Sequence, residues 1–352
     1  MERRTLLLLG AAAVASVGAA LVLSPDATRQ TAPDAPPGSL AFPGLTGQLR
    51  EATRIEIRKH DASLILQRQL GANDAWVLPD RGNYPVRPEK VREMLVGLTE
   101  LRLVEARTAD PGQLDRLGVD DPLRPGSTGV LLRLLGPRDL VIAELVIGRR
   151  RVRTQGNVPE TVYVRRPTEA QAWLAEGRLP VDADPQLWLD RDIANIAQDR
   201  VQRVAVHRVE APELLLVRGE GPEAKLRLEA PAVLFPLDEV ALDEVARSLE
   251  YLTFLDVRPE ATAPGTALGE ARFTMADGLA ITVRPSRDEE TLWIRLTAEG
   301  GDEAGARLQA RWAGWAYQVG VWKEKAFVPR LDELRQREAP AAPEPAAGSP
   351  PR

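Results

Sequence analysis

The sequence predicts an α+β protein made of two tandem copies of one unit, behind one N-terminal transmembrane helix. Each unit is a pair of strands, a helix and a further run of antiparallel strands. Three observations predict this class: short segments of alternating apolar residues, two amphipathic helical segments, and a motif that returns after 151 residues. Of the 352 residues, 44% are hydrophobic and 28% are charged, which is typical of a globular protein. This length accommodates about two domains of ordinary size.

The N-terminal segment has the features of a membrane anchor. Arg3 and Arg4 precede an uncharged, mostly apolar run at residues 5–24, and the next basic residue is Arg29. This asymmetry places the N-terminus in the cytoplasm, and about twenty helical residues span the roughly 30 Å of a bilayer core. A cleaved signal peptide is the alternative, and both interpretations export the rest of the chain. We expect a single-pass protein of the inner or cytoplasmic membrane whose body is periplasmic or extracytoplasmic.

Proline and glycine mark the limits of the folded part. Segments rich in these residues do not pack a core and form extended tethers. The expected organisation is a cytoplasmic tip (1–4), the transmembrane anchor (5–24), a Pro/Gly-rich tether (25–48), repeat 1 (49–177), a connector (178–200), repeat 2 (201–330), and a short helix with a disordered Pro/Ala tail (331–352).

The two copies begin with the same succession of elements. Each opens with a half-buried strand of alternating apolar residues, at residues 54–58 and 203–207. An aromatic-Pro pair follows, Tyr84-Pro85 in the first copy and Phe235-Pro236 in the second. Each pair precedes an amphipathic helix. The predicted helical stripes are Val91, Met94, Leu95, Leu98 and Leu101 in one copy, and Leu242, Val245, Ala246, Leu249 and Leu252 in the other.

Short strands joined by Gly and Asp turns complete each copy and favour antiparallel hairpins. In the first copy the predicted strands after the helix are residues 103–107, 130–135, 140–148 and 161–165. In the second copy they are residues 254–258, 271–275, 279–283, 291–296 and 315–319. We expect the connector around Trp188 to hold one copy against the other.

Composition excludes several classes of function. The chain has 46 Lys and Arg against 51 Asp and Glu, and this formal net charge of −5 argues against a nucleic-acid partner. The lack of cysteine excludes thiolate nucleophiles, zinc-thiolate sites and iron-sulfur clusters. A phosphate-binding loop of the G-x-x-x-x-G-K type is also missing from the sequence, and we expect no cofactor.

Histidines and carboxylates offer few candidates for catalysis. His60 and His207 are the two histidines, and the alternation of its strand places His207 opposite the apolar face, so we expect it to be exposed. Its neighbours do not have the spacing of a catalytic triad. Asp120 and Asp121 lie between Gly118 and a proline, which indicates a turn. We predict no catalytic residue and no enzymatic activity.

A run of aspartates follows the first copy and suggests calcium as one alternative. Asp182, Asp184, Asp190 and Asp192 are closely spaced oxygen donors, but the glycine and glutamate of an EF-hand loop are missing. We instead expect Asp184 to begin a turn before Pro185 and Asp190 to cap a helix. No metal site is therefore predicted.

Basic and aromatic residues are the candidates for contact with a ligand or a partner. Arg149, Arg150, Arg151 and Arg153 form the densest basic run, and their guanidinium groups suit phosphate head groups or an anionic wall polymer. A solvated strand end is the alternative interpretation.

Tryptophans crowd the end of the second copy. Trp312 and Trp322 could stack on a sugar or a peptide. Between them, Trp315, Tyr317, Val319 and Val321 recur with a period of two, which favours a packed core strand.

Several motifs together resemble the bacterial family of domain of unknown function 4340 (DUF4340), over residues 49–330. The motifs are Trp76-Val77-Leu78, Tyr84-Pro85-Val86, the helix through Leu101, Leu117-Gly118-Val119-Asp120-Asp121-Pro122, Leu145-Val146-Ile147-Gly148, Val162-Tyr163-Val164 and Trp188-Leu189-Asp190-Arg191. The resemblance implies an exported domain behind a membrane helix, often encoded beside ABC-type export components of the gliding-motility kind. It brings no established catalytic residue.

These observations lead to two functional hypotheses. The first is a non-enzymatic, membrane-anchored accessory protein that binds a protein partner in the cell envelope, with an ABC-type transporter as the partner that the resemblance implies. The second is a binding module for a cell-envelope glycan or peptide in a groove between the repeats. A pocket lined by tryptophan would favour the second, whereas an exposed apolar patch would favour the first.

An alkaline phosphatase fusion at residue 45 tests the predicted anchor. We expect an active fusion and a protein that resists carbonate extraction from membranes, because the arginine asymmetry exports everything after residue 24. An inactive fusion, or release of the protein by carbonate, would contradict the prediction.

Overall fold

The computed structural model describes residues 36–69, 71, 74–151, 159–221 and 224–336. The predicted anchor, residues 25–35 of the predicted tether, Arg153 and residues 337–352 of the predicted tail lie outside these residues. The rest of the predicted tether is not extended: it contains the strand Ser39–Leu40 and the helix Leu45–Gln48, and it buries Ala41 and Leu45. Within the described ranges, no helix combines the length and the apolar character needed to cross a bilayer. The predicted α+β class is confirmed, since a few helices accompany sheets that are mostly antiparallel.

The strands of the described residues are β1 (Ser39–Leu40), β2 (Arg54–Arg58), β3 (Ser63–Arg68), β4 (Trp76–Leu78), β5 (Tyr84–Pro85), β6 (Arg102–Ala106), β7 (Val130–Leu135), β8 (Val141–Arg151), β9 (Thr161–Arg165), β10 (Ala172–Glu176), β11 (Asp192–Ala194), β12 (Val201–Arg208), β13 (Leu214–Arg218), β14 (Leu226–Ala230), β15 (Leu252–Thr253), β16 (Asp256–Pro259), β17 (Thr266–Ala267), β18 (Gly269–Met275), β19 (Ala280–Asp288), β20 (Thr291–Glu299) and β21 (Trp315–Val319). The α-helices are α1 (Leu45–Gln48), α2 (Pro88–Glu100), α3 (Leu114–Leu117), α4 (Glu239–Ala246), α5 (Asp302–Trp312) and α6 (Lys323–Phe327).

Contacts divide the chain into two units. Unit 1 comprises the described residues up to Ala52, then Glu56–Ser63 and Arg92–Val181. Unit 2 comprises Thr53–Ile55, Leu64–Val91 and the described residues from Asp182 onward.

Two large sheets share one strand order. The first contains the series β6-β10-β9-β8-β7-β2-β3-β4, with β1 beyond β6 and β5 beyond β4. The second contains the series β16-β21-β20-β19-β18-β12-β13-β14, and β17 pairs with β19. Strand by strand, the two series correspond in chain order, and α2 and α4 occupy equivalent places. The helices begin at Pro88 and Glu239, which keeps the 151-residue offset of the sequence motif.

Several elements differ from the sequence prediction. A third strand, β4 or β14, follows the predicted strand pair of each copy, and β10, β11 and α5 were not predicted. The strand predicted at residues 254–258 begins later, at Asp256, as β16, and the unpredicted two-residue strand β15 precedes it. The prediction that Asp190 caps a helix is wrong, because the short strand β11 follows it and the Asp190 side chain accepts a hydrogen bond from the Asp192 N–H.

Both repeat helices bury the predicted apolar stripe. On α2, Met94 and Leu98 are almost completely buried. The N-terminus of α4 is capped by Asp238, whose carboxylate accepts hydrogen bonds from the N–H groups of Val240 and Ala241. This helix ends at Ala246, earlier than predicted, yet Leu249 in the following turn is fully buried. The apolar stripe therefore predicts burial better than it predicts the end of the helix.

A hairpin turn distinguishes the first copy from the second. Gly82 and Asn83 between β4 and β5 have φ angles of 67° and 68°, in the left-handed region that glycine and asparagine tolerate. The turn returns the chain so that Tyr84 and Pro85 pair with β4. At the corresponding offset the second copy has Val233 and Leu234, which do not favour this conformation.

Without this turn, the second copy follows another path. Leu237 forms a bridge with Arg335, and the N–H groups of Asp238 and Gln336 donate to the carbonyl oxygens of Leu334 and Pro236. The segment that corresponds to β5 therefore pairs with the C-terminal part of the described chain and not with β14.

Truncation of the buried stripe tests its contribution to stability. Leu98→Ala and Leu249→Ala should each lower the free energy of unfolding by about 2 to 5 kcal/mol, because each leaves a cavity. Val96→Ala, at an exposed position of α2, is the control and should change it by less than about 0.5 kcal/mol. Chemical denaturation followed by circular dichroism makes the comparison, and equal effects of Leu98→Ala and Val96→Ala would contradict the assignment.

Candidate functional site

Aromatic rings of unit 2 pack around Tyr84. The rings of Tyr84 and Trp315 meet edge to face with centroids 4.8 Å apart, and those of Tyr84 and Phe254 do so at 5.8 Å. Phe254 packs on Tyr317 at 5.4 Å. Such pairs contribute about 1 kcal/mol each beyond the area they bury. The aromatic-Pro pair of the first copy thus supplies a central ring of this cluster.

Burial raises the pKa of both tyrosine hydroxyls in the cluster. For Tyr84, burial outweighs the hydrogen bond to Tyr317, which lowers its pKa. For Tyr317, burial is again the largest cause, and the neighbouring Tyr84 hydroxyl raises the pKa further. The Tyr317 hydroxyl also lies 3.3 Å from the Arg311 carbonyl oxygen, to which it donates. Both groups are therefore protonated hydrogen-bonding groups at neutral pH.

Helix α5 is fixed beside this cluster by polar contacts with the segment that leads into β11. Arg311 donates to the Asp190 carboxylate at 2.8 Å and to the Asp192 carbonyl oxygen. The Trp312 indole N–H donates to the Ile193 carbonyl oxygen at 3.1 Å. Trp312 is only 1% exposed, so it packs in the core and presents no surface to a ligand.

A cleft of about 530 Å³ opens beside these contacts. Its walls are the segment from Tyr84 to Glu89, Asp190, the end of α5, and Trp315. Trp315 is half-buried, so part of its ring is accessible from the cleft. The cleft lies within unit 2.

The charges of the cleft are paired with one another. Arg311 binds Asp190, and the Arg87 guanidinium lies 3.8 Å from the Glu89 carboxylate while it donates to the Leu187 carbonyl oxygen at 2.9 Å. A ligand carboxylate would have to displace these partners. The cleft is better suited to a neutral ring, such as a sugar, that stacks on Trp315.

A second surface of unit 2 exposes apolar side chains. Its residues are Leu187, Tyr251, Leu255, Val321 and Trp322, which are exposed and lie on segments that hydrogen bonds join; we call them the Trp322 surface. The Leu255 N–H donates to the Gln318 carbonyl oxygen at 2.7 Å, and the Gln186 side chain donates to the Leu255 carbonyl oxygen at 3.2 Å. These bonds make the segments that carry Leu187, Leu255 and Val321 neighbours.

The indole of Trp322 is 71% exposed and held in place. It lies over Gly320, where an added Cβ would come within 2.1 Å of the ring. The next residue, Lys323, donates to the Ser248 carbonyl oxygen at 2.9 Å, and burial lowers the pKa of its ammonium group. An exposed aromatic ring whose backbone is fixed loses little conformational entropy on binding.

The arginine run of β8 does not form one patch. Arg149, Arg150 and Arg151 are all exposed. The stem of Arg149 lies near Gly118, whereas Arg150 donates to the Leu179 carbonyl oxygen at 2.6 Å. Adjacent residues of a strand face opposite sides, so Arg150 faces away from Arg149 and Arg151 and the three guanidinium groups do not share one side of β8.

The predicted structural roles of most histidines and carboxylates agree with their environments. His207 is exposed, as expected, and its Nδ1 lies 3.1 Å from the Glu213 carboxylate. The buried Asp120 carboxylate accepts hydrogen bonds from Ser127 Oγ at 2.9 Å and from Arg124 at 2.7 Å. Asp184 begins a turn and accepts a hydrogen bond from the Gln186 N–H, as predicted.

In the part of the chain that the structure describes, no three His, Asp or Glu side chains lie close enough together to hold a metal ion.

Sequence reasoning missed Tyr84, Arg87 and Arg311 as residues of a cleft. The sequence marks Tyr84, because the aromatic-Pro pair returns in the second copy. No sequence pattern marks Arg311, because its contact with Asp190 joins residues that are 121 positions apart.

Comparison with known proteins gives one match. The family model described as a domain of unknown function, DUF4340, matches residues 76–270, more than half of the chain. No curated protein and no solved structure matches.

Alkaline titration tests the two buried tyrosines. Because the folded pKa values of Tyr84 and Tyr317 are raised, their stabilising contribution is complete below about pH 10, the pKa of an unfolded tyrosine, and is lost as pH rises through the folded values. As pH rises, part of the tyrosinate absorbance should increase only when the protein unfolds, because the buried tyrosines ionise then. Tyr84→Phe should reduce this fraction, whereas Tyr251→Phe, at an exposed site, should leave it unchanged. Equal effects of the two variants would contradict the assignment.

Proposed function

The chain belongs to the DUF4340 family, and from this premise we propose that it is a membrane-anchored, exported accessory protein that binds a protein partner and carries out no catalysis. The Trp322 surface is the observation that carries the proposal. Exposed apolar residues that are grouped on a folded protein are typical of interaction sites, and tryptophan is enriched among the residues that dominate binding.

Membrane attachment is the second part of the proposal. The apolar run at residues 5–24 with arginines before it supports an anchor, and Pro25 and Pro33 in residues 25–35 after it support a short tether. An anchor and a tether keep a binding domain near a membrane partner and raise its effective concentration there. The family resemblance favours an ABC-type transporter of the gliding-motility kind as that partner.

We also infer that the two sheets descend from a tandem duplication. Their common strand order and the shared offset of α2 and α4 support this origin. Duplicated units that diverge can retain one fold while their surfaces acquire different partners. Four of the five residues of the Trp322 surface belong to the second copy, and Leu187 belongs to the connector.

A glycan or peptide ligand is the second candidate function, and the cleft beside Trp315 favours it. An accessible indole with paired charges around it suits a sugar ring that stacks and accepts hydrogen bonds.

A photo-crosslinking amino acid at position 322 tests the partner. In membranes of the native cell, we expect the full-length protein to crosslink to a membrane subunit of the transporter from position 322 but not from the exposed position 140 of the first copy. Trp322→Ala should also reduce co-purification of the transporter, since truncation of a dominant tryptophan costs about 2 kcal/mol or more. Trp322→Phe should retain part of it.

Other outcomes would contradict the proposal. Equal crosslinking from positions 322 and 140 would remove the Trp322 surface as the site. Binding of isolated cell-wall glycan that Trp315→Ala abolishes and Trp322→Ala does not would favour the second candidate. A fully folded alanine variant of His60, His207 or Asp120 that loses cellular function would indicate chemistry that the proposal denies.

A further inference from the structure

We propose that the outer edge of β14 binds an extended peptide segment of the protein partner as an added antiparallel strand. This deepens the proposed binding function and rests on it, because it names the main-chain recognition by which a partner is held. The site is separate from the Trp322 surface in sequence and involves different residues.

Strand β14 ends its sheet, with β13 on one side. The Gly219 N–H donates to the Lys225 carbonyl oxygen at 3.2 Å, so the main-chain groups of Lys225 point toward β13. In an antiparallel ladder, the N–H and C=O of successive residues point alternately to the two sides. The main-chain groups of Leu226 and Leu228 therefore point outward, where a further strand would pair with them.

The first copy shows what occupies the corresponding edge. There β5 pairs with β4 in antiparallel register, with Leu78 opposite Tyr84, and the Val86 N–H donates to the Trp76 carbonyl oxygen at 3.0 Å. The second copy has the same series of strands up to β14, but no strand of the described residues covers β14. The first copy thus provides an internal template for an added strand at this position.

A replaced turn, and contacts with the C-terminal part of the described chain, explain why no described strand covers this edge. Val233 and Leu234 replace the Gly82-Asn83 turn, so the chain does not return along β14. The segment that follows is instead held by Leu334 and Gln336, and the guanidinium of Arg335 lies 5.4 Å from the centre of the Phe235 ring. The segment that corresponds to β5 is therefore held beside residues 334–336 and not beside β14.

A cleft of about 470 Å³ lies between the beginning of β14 and helix α4. Its apolar lining includes Leu226, Ala246 and Val240, and the Val240 side chain is 68% exposed. Leu226, the first residue of β14, lines this cleft, so a side chain at one end of an added strand would enter it.

The main-chain groups of the β14 edge and the apolar lining of the cleft favour an extended peptide as the ligand. Outward N–H and C=O groups of Leu226 and Leu228 match the main chain of a strand, and the apolar lining accepts an apolar side chain beside it. Two ion pairs lie at the rim, Lys225 with Glu239 and Arg247 with Asp243, each at 2.9 Å. Recognition therefore depends on main-chain pairing and one apolar side chain rather than on net charge.

A library of random 12-residue peptides, selected against the full-length protein in detergent micelles, tests the proposal. We expect enriched peptides with an apolar anchor that protect the amides of Leu226 and Leu228 from hydrogen exchange. Leu228→Pro should weaken their binding by about tenfold or more, because it removes an outward N–H donor from an edge strand. Leu228→Ala, which keeps that donor, is the matched control and should weaken binding less. If Leu228→Pro does not fold, Val240→Glu in the cleft replaces it and should also reduce binding.

Three results would overturn the proposal. The first is a library that yields no binder, and the second is a binder that Leu228→Pro and Leu228→Ala affect equally or that protects other amides. The third is self-association of the protein that Leu228→Pro abolishes, because the edge would then bind a second copy of the chain. None of these results bears on crosslinking from position 322, so the proposed function and this inference fail separately.

Discussion

The N–H and C=O groups along the outer side of an edge strand lack partners within their sheet. How these groups are covered determines the path of the chain at the edges of both sheets. In the first sheet, strands of two residues, β1 and β5, cover the two ends of the eight-strand series. Strand β5 exists because Gly82 and Asn83 tolerate positive φ angles, so two residues decide whether an edge is covered. In the second sheet a different pair of residues occupies the turn. The C-terminal part of the described chain then pairs with residues 236–238, and no strand of the described residues covers β14.

The sequence predicted most of the strands because each buries one face, and that face leaves a period of two in the chain. It predicted the repeat because the aromatic-Pro pair and the helical stripe return together. The length of α4 could not be read from the stripe, since Leu249 remains buried after the helix has ended. Helix α5 was missed because its buried face includes Gly305 and Trp312 and lacks a long aliphatic stripe. The role assigned to Asp190 was wrong because a distant arginine, and not a following helix, uses its carboxylate.

Candidate contacts were harder to predict than strands because residue type alone does not determine exposure. Trp312 and Trp322 are ten residues apart in the same crowded segment, yet one packs in the core and the other lies on the surface. The difference comes from Ile193, which binds the first indole, and from Gly320, which supports the second. The run of arginines on β8 is contiguous in sequence but divided in space by the alternation of the strand. The cleft beside Trp315 required contacts between residues of unit 2 that lie far apart in the chain.

The common strand order also has a consequence for how the chain folds. In the second sheet β12 pairs with β18, with Val206 opposite Ala271. The chain between these two strands contains β13, β14 and α4, so a long loop must close before the pair can form. Closing such a long loop costs entropy before its contacts are made, which slows folding relative to helical proteins of the same size. If the chain is translocated unfolded, as an exported protein would be, its incomplete sheets remain open for that interval. Strand edges that are exposed during this interval favour aggregation, so chaperones that shield them would raise the yield of folded protein.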